Sequence, residues 1–422
     1  LVLAGSAPAT DVPLKLVRNK EKADSYQPYG YQSIRPSAEL PIGRWQLPEL
    51  NAEEPLYAQL TLGDKKFLLI FDKSGADAAN FDRMIVDTDG DGDLKEETAH
   101  ALETNAQIAN MGYYPVAKVV RTFGDRRVPY FFRVRQYAGR VMRTQGGEVQ
   151  TSTSFMAQSF CHYAGEFELG GKQYQIMLGD KDANGSFDDP VKWRAGRDGS
   201  PSNDALGDQV FLTTGEKVTS RDFLYFAPYL VLGDTLYDVA LDPARSVLKI
   251  NPSRAATAPL ELSTAVTRMN LISADSSLAA MLFQPGTKAK LPAGEYRFYN
   301  YQIVKRDPQG DLWSISANCA AETPFVKLAG GGARMSFAEP FLASAEVPEA
   351  SLQRAVKAGT SAVPIQFQLK GAAHERVSNL THVEGDATET PLAANGSRPK
   401  EPAYRVMDPS GKVVASGSFK YG

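Results

Sequence analysis

The sequence predicts a mainly β chain, built of several antiparallel β-sandwich or barrel-like domains in tandem. Three observations lead there. Short alternating or apolar runs are broken by turn dipeptides about every ten residues, the pattern of sandwiches and barrels. The aromatic content is rich in Tyr (18) and Phe (20), which favour a pleated, half-buried surface. Long amphipathic helices are missing. The best helical candidate, residues 96–109, carries Ala99, Ala101, Leu102, Ile108 and Ala109 without Gly or Pro, but it is short.

Taken in order, residues 1–9 read as the end of an apolar leader closing in Ala7-Pro8-Ala9, the small-x-small pattern that a signal peptidase cuts after. A secreted, periplasmic or cell-surface protein with a mature start near Thr10 is expected; no Cys follows the cut to carry a lipid. Residues 10–42 are rich in Pro, Lys, Asp and Ser, with Pro28, Pro36 and Pro41 interrupting any periodicity, and read as an extended arm. A chain of 422 residues is too long for one ordinary core. The rest is expected to divide into β domains over 43–150 and 151–258, a β-sandwich over 259–346 and a last β module over 347–422.

Charge and composition exclude some partners. With 46 Lys and Arg against 49 Asp and Glu, the net charge of −3 leaves no field to gather nucleic acid or anionic lipid. No later stretch approaches the roughly 18 apolar residues of a membrane-spanning helix. The two cysteines, Cys161 and Cys319, lie far apart in sequence; export permits a disulfide between them, and two separately buried thiols are the alternative.

A short repeat emerges when turns are used as anchors. Leu62-Gly63-Asp64-Lys65-Lys66-Phe67, Leu169-Gly170-Gly171-Lys172-Gln173-Tyr174 and Leu232-Gly233-Asp234-Thr235-Leu236-Tyr237 each set an aromatic five positions after a Leu. Gly-Asp or Gly-Gly supplies the positive φ of a tight hairpin turn in each. Two further hairpins are signalled by Asp307-Pro308-Gln309-Gly310 and Asp408-Pro409-Ser410-Gly411, where Asp-Pro-x-Gly sets a type I turn followed by a left-handed Gly.

The sharpest feature follows the apolar run Met84-Ile85-Val86. In Asp87-Thr88-Asp89-Gly90-Asp91-Gly92-Asp93-Leu94, aspartates stand at positions 1, 3, 5 and 7, Gly at 6 and an aliphatic residue at 8. Carboxylates at 1, 3 and 5 can turn inwards around one hard cation while Gly92 swings the chain round and position 7 offers its carbonyl. Without a cation, the four aspartates repel one another. A second loop, Asp180-Lys181-Asp182-Ala183-Asn184-Gly185-Ser186-Phe187-Asp188-Asp189, follows another apolar run with Asp180, Asp182 and Asn184 at 1, 3 and 5, Gly185 at 6, Ser186 at 7 and Phe187 at 8. A plain Asn-Gly hairpin turn is its alternative reading.

Both loops resemble those shared by EF-hands, dockerins and thrombospondin-type calcium repeats, over about a dozen residues each. The resemblance implies Ca2+ and no particular fold. It departs from the EF-hand at position 12, where a bidentate Glu is replaced by Thr98 in the first loop and Val191 in the second. Glu96 or Glu97 is expected to complete the first shell, and Asp188 or Asp189 the second, which is expected to be the weaker of the two. The entry Leu291-Pro292-Ala293-Gly294-Glu295-Tyr296 and the hairpin over 404–419 resemble strands of prealbumin-like and immunoglobulin-like modules of exported bacterial proteins, which implies scaffolding or binding domains.

Catalytic signatures are sparse. His100, His162, His374 and His382 show no metal-ligand spacing, and His374-Glu375 lacks the second His of a zinc-protease helix and reads as a surface pair on a strand. Phosphate-binding loops and a G-x-S-x-G elbow are absent from the sequence. A glycosidase needs two facing carboxylates, for which Glu166, Glu168 and Asp238 are candidates, with Trp193 nearby. The expectation is a calcium-binding β protein that binds or scaffolds a glycan, cell-wall component or protein. A carbohydrate-active hydrolase and a purely structural envelope protein are the alternatives.

Overall fold

The structure is a computed structural model and describes residues 9–422 apart from 24, 79, 105–107, 109, 124, 144–148, 197–205, 216, 217, 219, 221, 360–364, 385–398 and 420–422. The leader expected over 1–9 lies outside the described residues except for Ala9. The chain divides into two compact units that interleave in sequence. The first comprises Leu1–Pro190, Leu206–Ala227 and Val239–Asn251; the second comprises Val191–Ala205, Pro228–Asp238 and Pro252–Gly422.

The first unit opens with β1 (Thr10–Pro13), β2 (Lys15–Arg18) and β3 (Tyr31–Ile34). A four-strand sheet follows in the order β4 (Leu56–Leu62), β5 (Lys65–Asp72), β6 (Arg83–Val86) and β7 (His100–Ala101). Next come β8 (Glu103–Thr104), β9 (Met111–Tyr113), β10 (Ala117–Phe123), β11 (Arg126–Arg143) and β12 (Val149–Ser159). They join β3 in a six-strand sheet of order β3-β12-β11-β9-β8, with β10 also on β11. β13 (Cys161–Leu169), β14 (Lys172–Gly179), β15 (Gln209–Thr213) and β16 (Leu224–Tyr225) form a five-strand sheet that ends in β2. After the hairpin of β17 (Tyr229–Leu232) and β18 (Thr235–Asp242), β19 (Val247–Pro252) pairs with β1.

The second unit is built on β20 (Thr257–Ser273), β21 (Ala279–Pro292), β22 (Gly294–Arg306), β23 (Leu312–Asn318), β24 (Val326–Leu328), β25 (Ala333–Met335) and β26 (Leu342–Glu346). The helix α1 (Glu349–Ala358), β27 (Gln366–Lys370) and β28 (Arg376–Glu384) follow, and the last hairpin is β29 (Ala403–Met407) with β30 (Val413–Ser418). Its sheet runs β21-β20-β22-β23-β28-β27-β26, with β17 parallel to β21 and β25 parallel to β20. The chain is therefore mainly β, and its sheets are open: among the described residues none closes into a barrel.

Period-two alternation accounts for these strands. β4 buries Ala58, Leu60 and Leu62 and leaves Thr61 in solvent, and the first half of β20 buries Ala258, Leu260 and Leu262 between exposed Thr257, Pro259 and Glu261. The three repeat hairpins form as expected, with two-residue turns closed by Leu62↔Lys65, Leu169↔Lys172 and Leu232↔Thr235. Gly63 and Gly233 take φ of 67° and 61° at the first turn position, where a type II′ turn demands it. Both Asp-Pro-x-Gly turns form as well: the Gly310 and Gly411 amides donate to the Asp307 and Asp408 carbonyls, and each glycine is left-handed.

Several expectations are corrected. Residues 10–42 are extended but not a separate arm: β1, β2 and β3 complete sheets against β19, β13 and β12, and Val12 is fully buried. Ladder pairing satisfies backbone groups that an isolated arm leaves to water. Strands also run across expected domain limits. β11 and β12 pair through 150, and β28, beyond 347, pairs with β23. No helix forms over the described part of 96–109. His100 and Ala101 pair with β6, and the Leu102 amide donates to the Asp82 carbonyl. The helix α1 lay outside the sequence expectation; it ends at Gly359, whose left-handed φ of 61° turns the chain out of the last turn.

Candidate metal centres

β6 delivers Asp87 to the first loop and anchors it, since the Asp87 amide donates to the Leu68 carbonyl (3.0 Å). The loop then wraps upon itself. The Asp87 carboxylate accepts from the Gly90 amide (2.8 Å), Asp89 from Asp91 (3.2 Å), Asp91 from Asp93 (2.7 Å) and Asp93 from Lys95 (3.0 Å). Gly92 sits at φ 85°, and a Cβ there meets the Arg44 carbonyl oxygen at 2.6 Å, so only glycine fits. Leu94, at position 8, is fully buried with Leu68, Ile70 and Ile85, beneath Trp45 and Tyr57. The Leu94 amide donates to the Gln46 carbonyl, and the Gln46 amide to that of Gly92 (both 2.8 Å).

The result brings carboxylate oxygens of Asp87, Asp89 and Asp91 within 4.8 Å of one another. Asp93, Glu96 and Glu97 are not in this trio. Glu97 instead accepts from the Thr88 amide and hydroxyl, which fixes the loop from outside. Burial first, and then the charges of Asp89 and Asp91, push the Asp87 carboxyl above its ordinary value, partly offset by the Gly90 amide.

The second loop leaves β14 directly. Asp180 is fully buried and accepts from Asn184 (3.1 Å) and Gly185 (2.7 Å) amides and from the Tyr130 hydroxyl (2.6 Å). Gly185 repeats the left-handed bend at φ 87°, and the Gly63 amide of the first repeat hairpin donates to the Asn184 carbonyl. Phe187 is buried at position 8, its ring 4.8 Å from that of Tyr163 and 6.2 Å from that of Tyr130.

Its acidic trio is Asp180, Asp182 and Asp208, again within 4.8 Å. Asp208 was not foreseen. No local spacing ties it to the loop, but the register does: Gly179 pairs with Gln209, so the next antiparallel position sets Asp208 beside Asp180. Its carboxylate accepts from the Lys181 (2.8 Å) and Asp189 (2.9 Å) amides. Asn184, at position 5, spends its amide on Asp182 (3.1 Å) and Asp189 (2.6 Å), Ser186 donates to Asp188 (2.8 Å), and neither Asp188 nor Asp189 belongs to the trio. Burial raises both Asp180 and Asp208 well above the usual carboxylate range, with the Asp182 charge adding to it at Asp180 and the Asp180 charge at Asp208. A buried pair of this kind demands neutralisation by protons or a cation.

Each trio can thus hold a metal ion with oxygen donors, all from the wrapped loop at the first site and from the loop and Asp208 at the second. In comparisons with known protein families, with curated proteins and with solved structures, nothing matches this chain. The local chemistry has to carry the functional argument.

The other sequence candidates fall elsewhere. Glu166, Glu168 and Asp238 lie on exposed faces of their strands. Trp193 is covered by the Arg297 guanidinium, 3.7 Å from its ring centroid. His374-Glu375 is no surface pair on a strand: it sits in a turn where His374 has φ 64°. Glu375 is fully buried and accepts from the Tyr301 hydroxyl (2.7 Å) and from the Ala338 (2.6 Å) and Ala373 (2.9 Å) amides. These bonds give it a structural role joining the turn to β22. Cys161 and Cys319 are both buried free thiols, each pushed up to about 12 by burial.

His162 yields a pH prediction. It is buried against the Asn19 side-chain oxygen (2.7 Å), and burial lowers it from 6.5 to about 4. The unfolded imidazole takes up its proton first as pH falls, so stability is full above pH 6.5, declines as pH falls from 6.5 to about 4, and levels off below. The loss over that window is about 3 kcal/mol. Urea denaturation across pH should show the loss in the wild type and its absence in His162→Gln; equal slopes would refute this assignment.

Proposed function

We propose that the chain is an exported calcium-binding β protein, in which two cations staple the first unit, and that it acts by binding a partner on a cell surface or wall rather than by catalysis. The observation that carries this reading is the convergence of three carboxylates at each loop around a glycine-permitted bend. Calcium is the favoured cation because both trios offer hard oxygen donors without His or Cys. Outside the cytosol calcium is plentiful, and even modest sites stay filled.

The binding role draws support from the second unit. There the Tyr296 hydroxyl donates to the Pro292 carbonyl (3.1 Å) at the entry to β22, a local tie like the tyrosine corner of immunoglobulin-like modules.

Calorimetric titration of metal-stripped protein tests the proposal. Calcium should give heats that fit two sites, magnesium should compete poorly, and Asp89→Ala should abolish one site while leaving the other. Unchanged heats on adding calcium would sink it.

A further inference from the structure

On β11, Arg133 and Arg135 project from the same face of the six-strand sheet, two residues apart. The Arg133 guanidinium carbon lies 4.4 Å from the ring centroid of Tyr113 and 4.6 Å from that of Phe160. That of Arg135 lies 4.5 Å from Tyr31 and 5.3 Å from Tyr113. Both cations thus share the Tyr113 ring, with Phe160 beside Arg133 and Tyr31 beside Arg135. Gln158, itself 3% exposed, fixes both: its Oε1 accepts from Nε of Arg133 (2.8 Å) and of Arg135 (3.2 Å).

Two guanidiniums are thereby locked side by side through Nε, and among the described residues their Nη atoms form no hydrogen bond. Among the described residues neither forms an ion pair. Burial first and the Arg135 charge second push Arg133 below its ordinary value, partly offset by Tyr113, Glu21 and Tyr31. Holding two like charges half-buried side by side costs stability. Rigid stacking also removes the entropy that a flexible cation loses on binding an oxyanion.

We propose that this face binds an acidic polysaccharide, with each of the two neighbouring guanidinium forks taking one carboxylate of the chain. Single-stranded nucleic acid fits less well, because the ring faces that bases stack on are covered by the guanidiniums and the net charge is −3. The proposal rests on the reading of the chain as a binding protein and uses neither cation site.

Fluorescence polarisation with labelled galacturonate oligomers too short to gel with calcium tests it on the full chain. The expected result is binding that weakens with salt, that neutral dextran oligomers do not compete for, and that falls at least tenfold in R133Q/R135Q. Arg135→Lys should also lose several-fold, since lysine offers a point charge and no fork, while Glu21→Gln should tighten binding. Urea denaturation of the same variants reports whether the fold survives; if the double variant unfolds, Arg135→Lys and Glu21→Gln decide. Unchanged affinity in the folded variants, equal binding of dextran, or tighter binding of a single-stranded oligonucleotide would overturn the proposal. A failed calcium titration beside intact galacturonate binding counts against the cation reading alone.

Discussion

Removing calcium should lower the unfolding midpoint of the first unit by about 8–16 °C for each filled site, relative to free calcium near a thousand times its dissociation constant. The figure follows from about 4 kcal/mol of linkage at that ratio and about 2–4 °C per kcal/mol for a unit of this size. Asp208→Asn separates the ligand role from the structural one. In the cation-free chain, Asp208 crowds Asp180 while accepting from the Lys181 and Asp189 amides. Asparagine relieves the like charge but keeps only one acceptor oxygen. With chelator the variant should therefore unfold near the wild-type midpoint, whereas with calcium it should lose the second loop's share of the gain. A purely structural Asp208 would instead give the same drop in both conditions. Calorimetric scans with and without chelator measure this, and coincident wild-type midpoints would end the case for a cation.

Phe187→Ala should be the most damaging single change in either loop, costing about 3–5 kcal/mol in urea denaturation. The ring is fully enclosed by Tyr163 and Tyr130 and lies under the Arg121 guanidinium, so its loss leaves a cavity beneath the turn that carries Asp180 and Asp182. Calcium affinity of the second site should fall with it, because position 8 holds the loop closed. Leu94→Ala in the first loop should cost about 2–5 kcal/mol for the same reason. Losses below about 1 kcal/mol, the range of exposed positions, would mean that the loops are held by their hydrogen bonds alone.

The second site gains a carboxylate that its loop does not carry. With a neutral Asn184 at position 5, the second loop reads as the weaker binder in sequence; in the structure Asp208 supplies a third carboxylate and two of the trio are buried. Conversely, the acidic residues at the ends of both loops, Glu97, Asp188 and Asp189, are engaged by Thr88, Ser186 and Asn184. The helical candidate at 96–109 forms no helix over its described residues because a run without Gly or Pro is only a permissive signal, and pairing of His100 and Ala101 with β6 overrode it.

What the chain alone determined is everything set by near neighbours. Period-two burial in β4 and β20, glycines at the turns of five hairpins, and carboxylates at loop positions 1 and 3 follow from sterics and charge acting over a few residues. Only the tertiary structure decided that Asp208 meets Asp180, that Glu375 lies buried under Tyr301, and that Tyr31 and Tyr113 enclose Arg135. Each of those meetings depends on strand register between segments distant in the chain. Register is a property of whole sheets, since a slip of one residue turns every side chain to the opposite face.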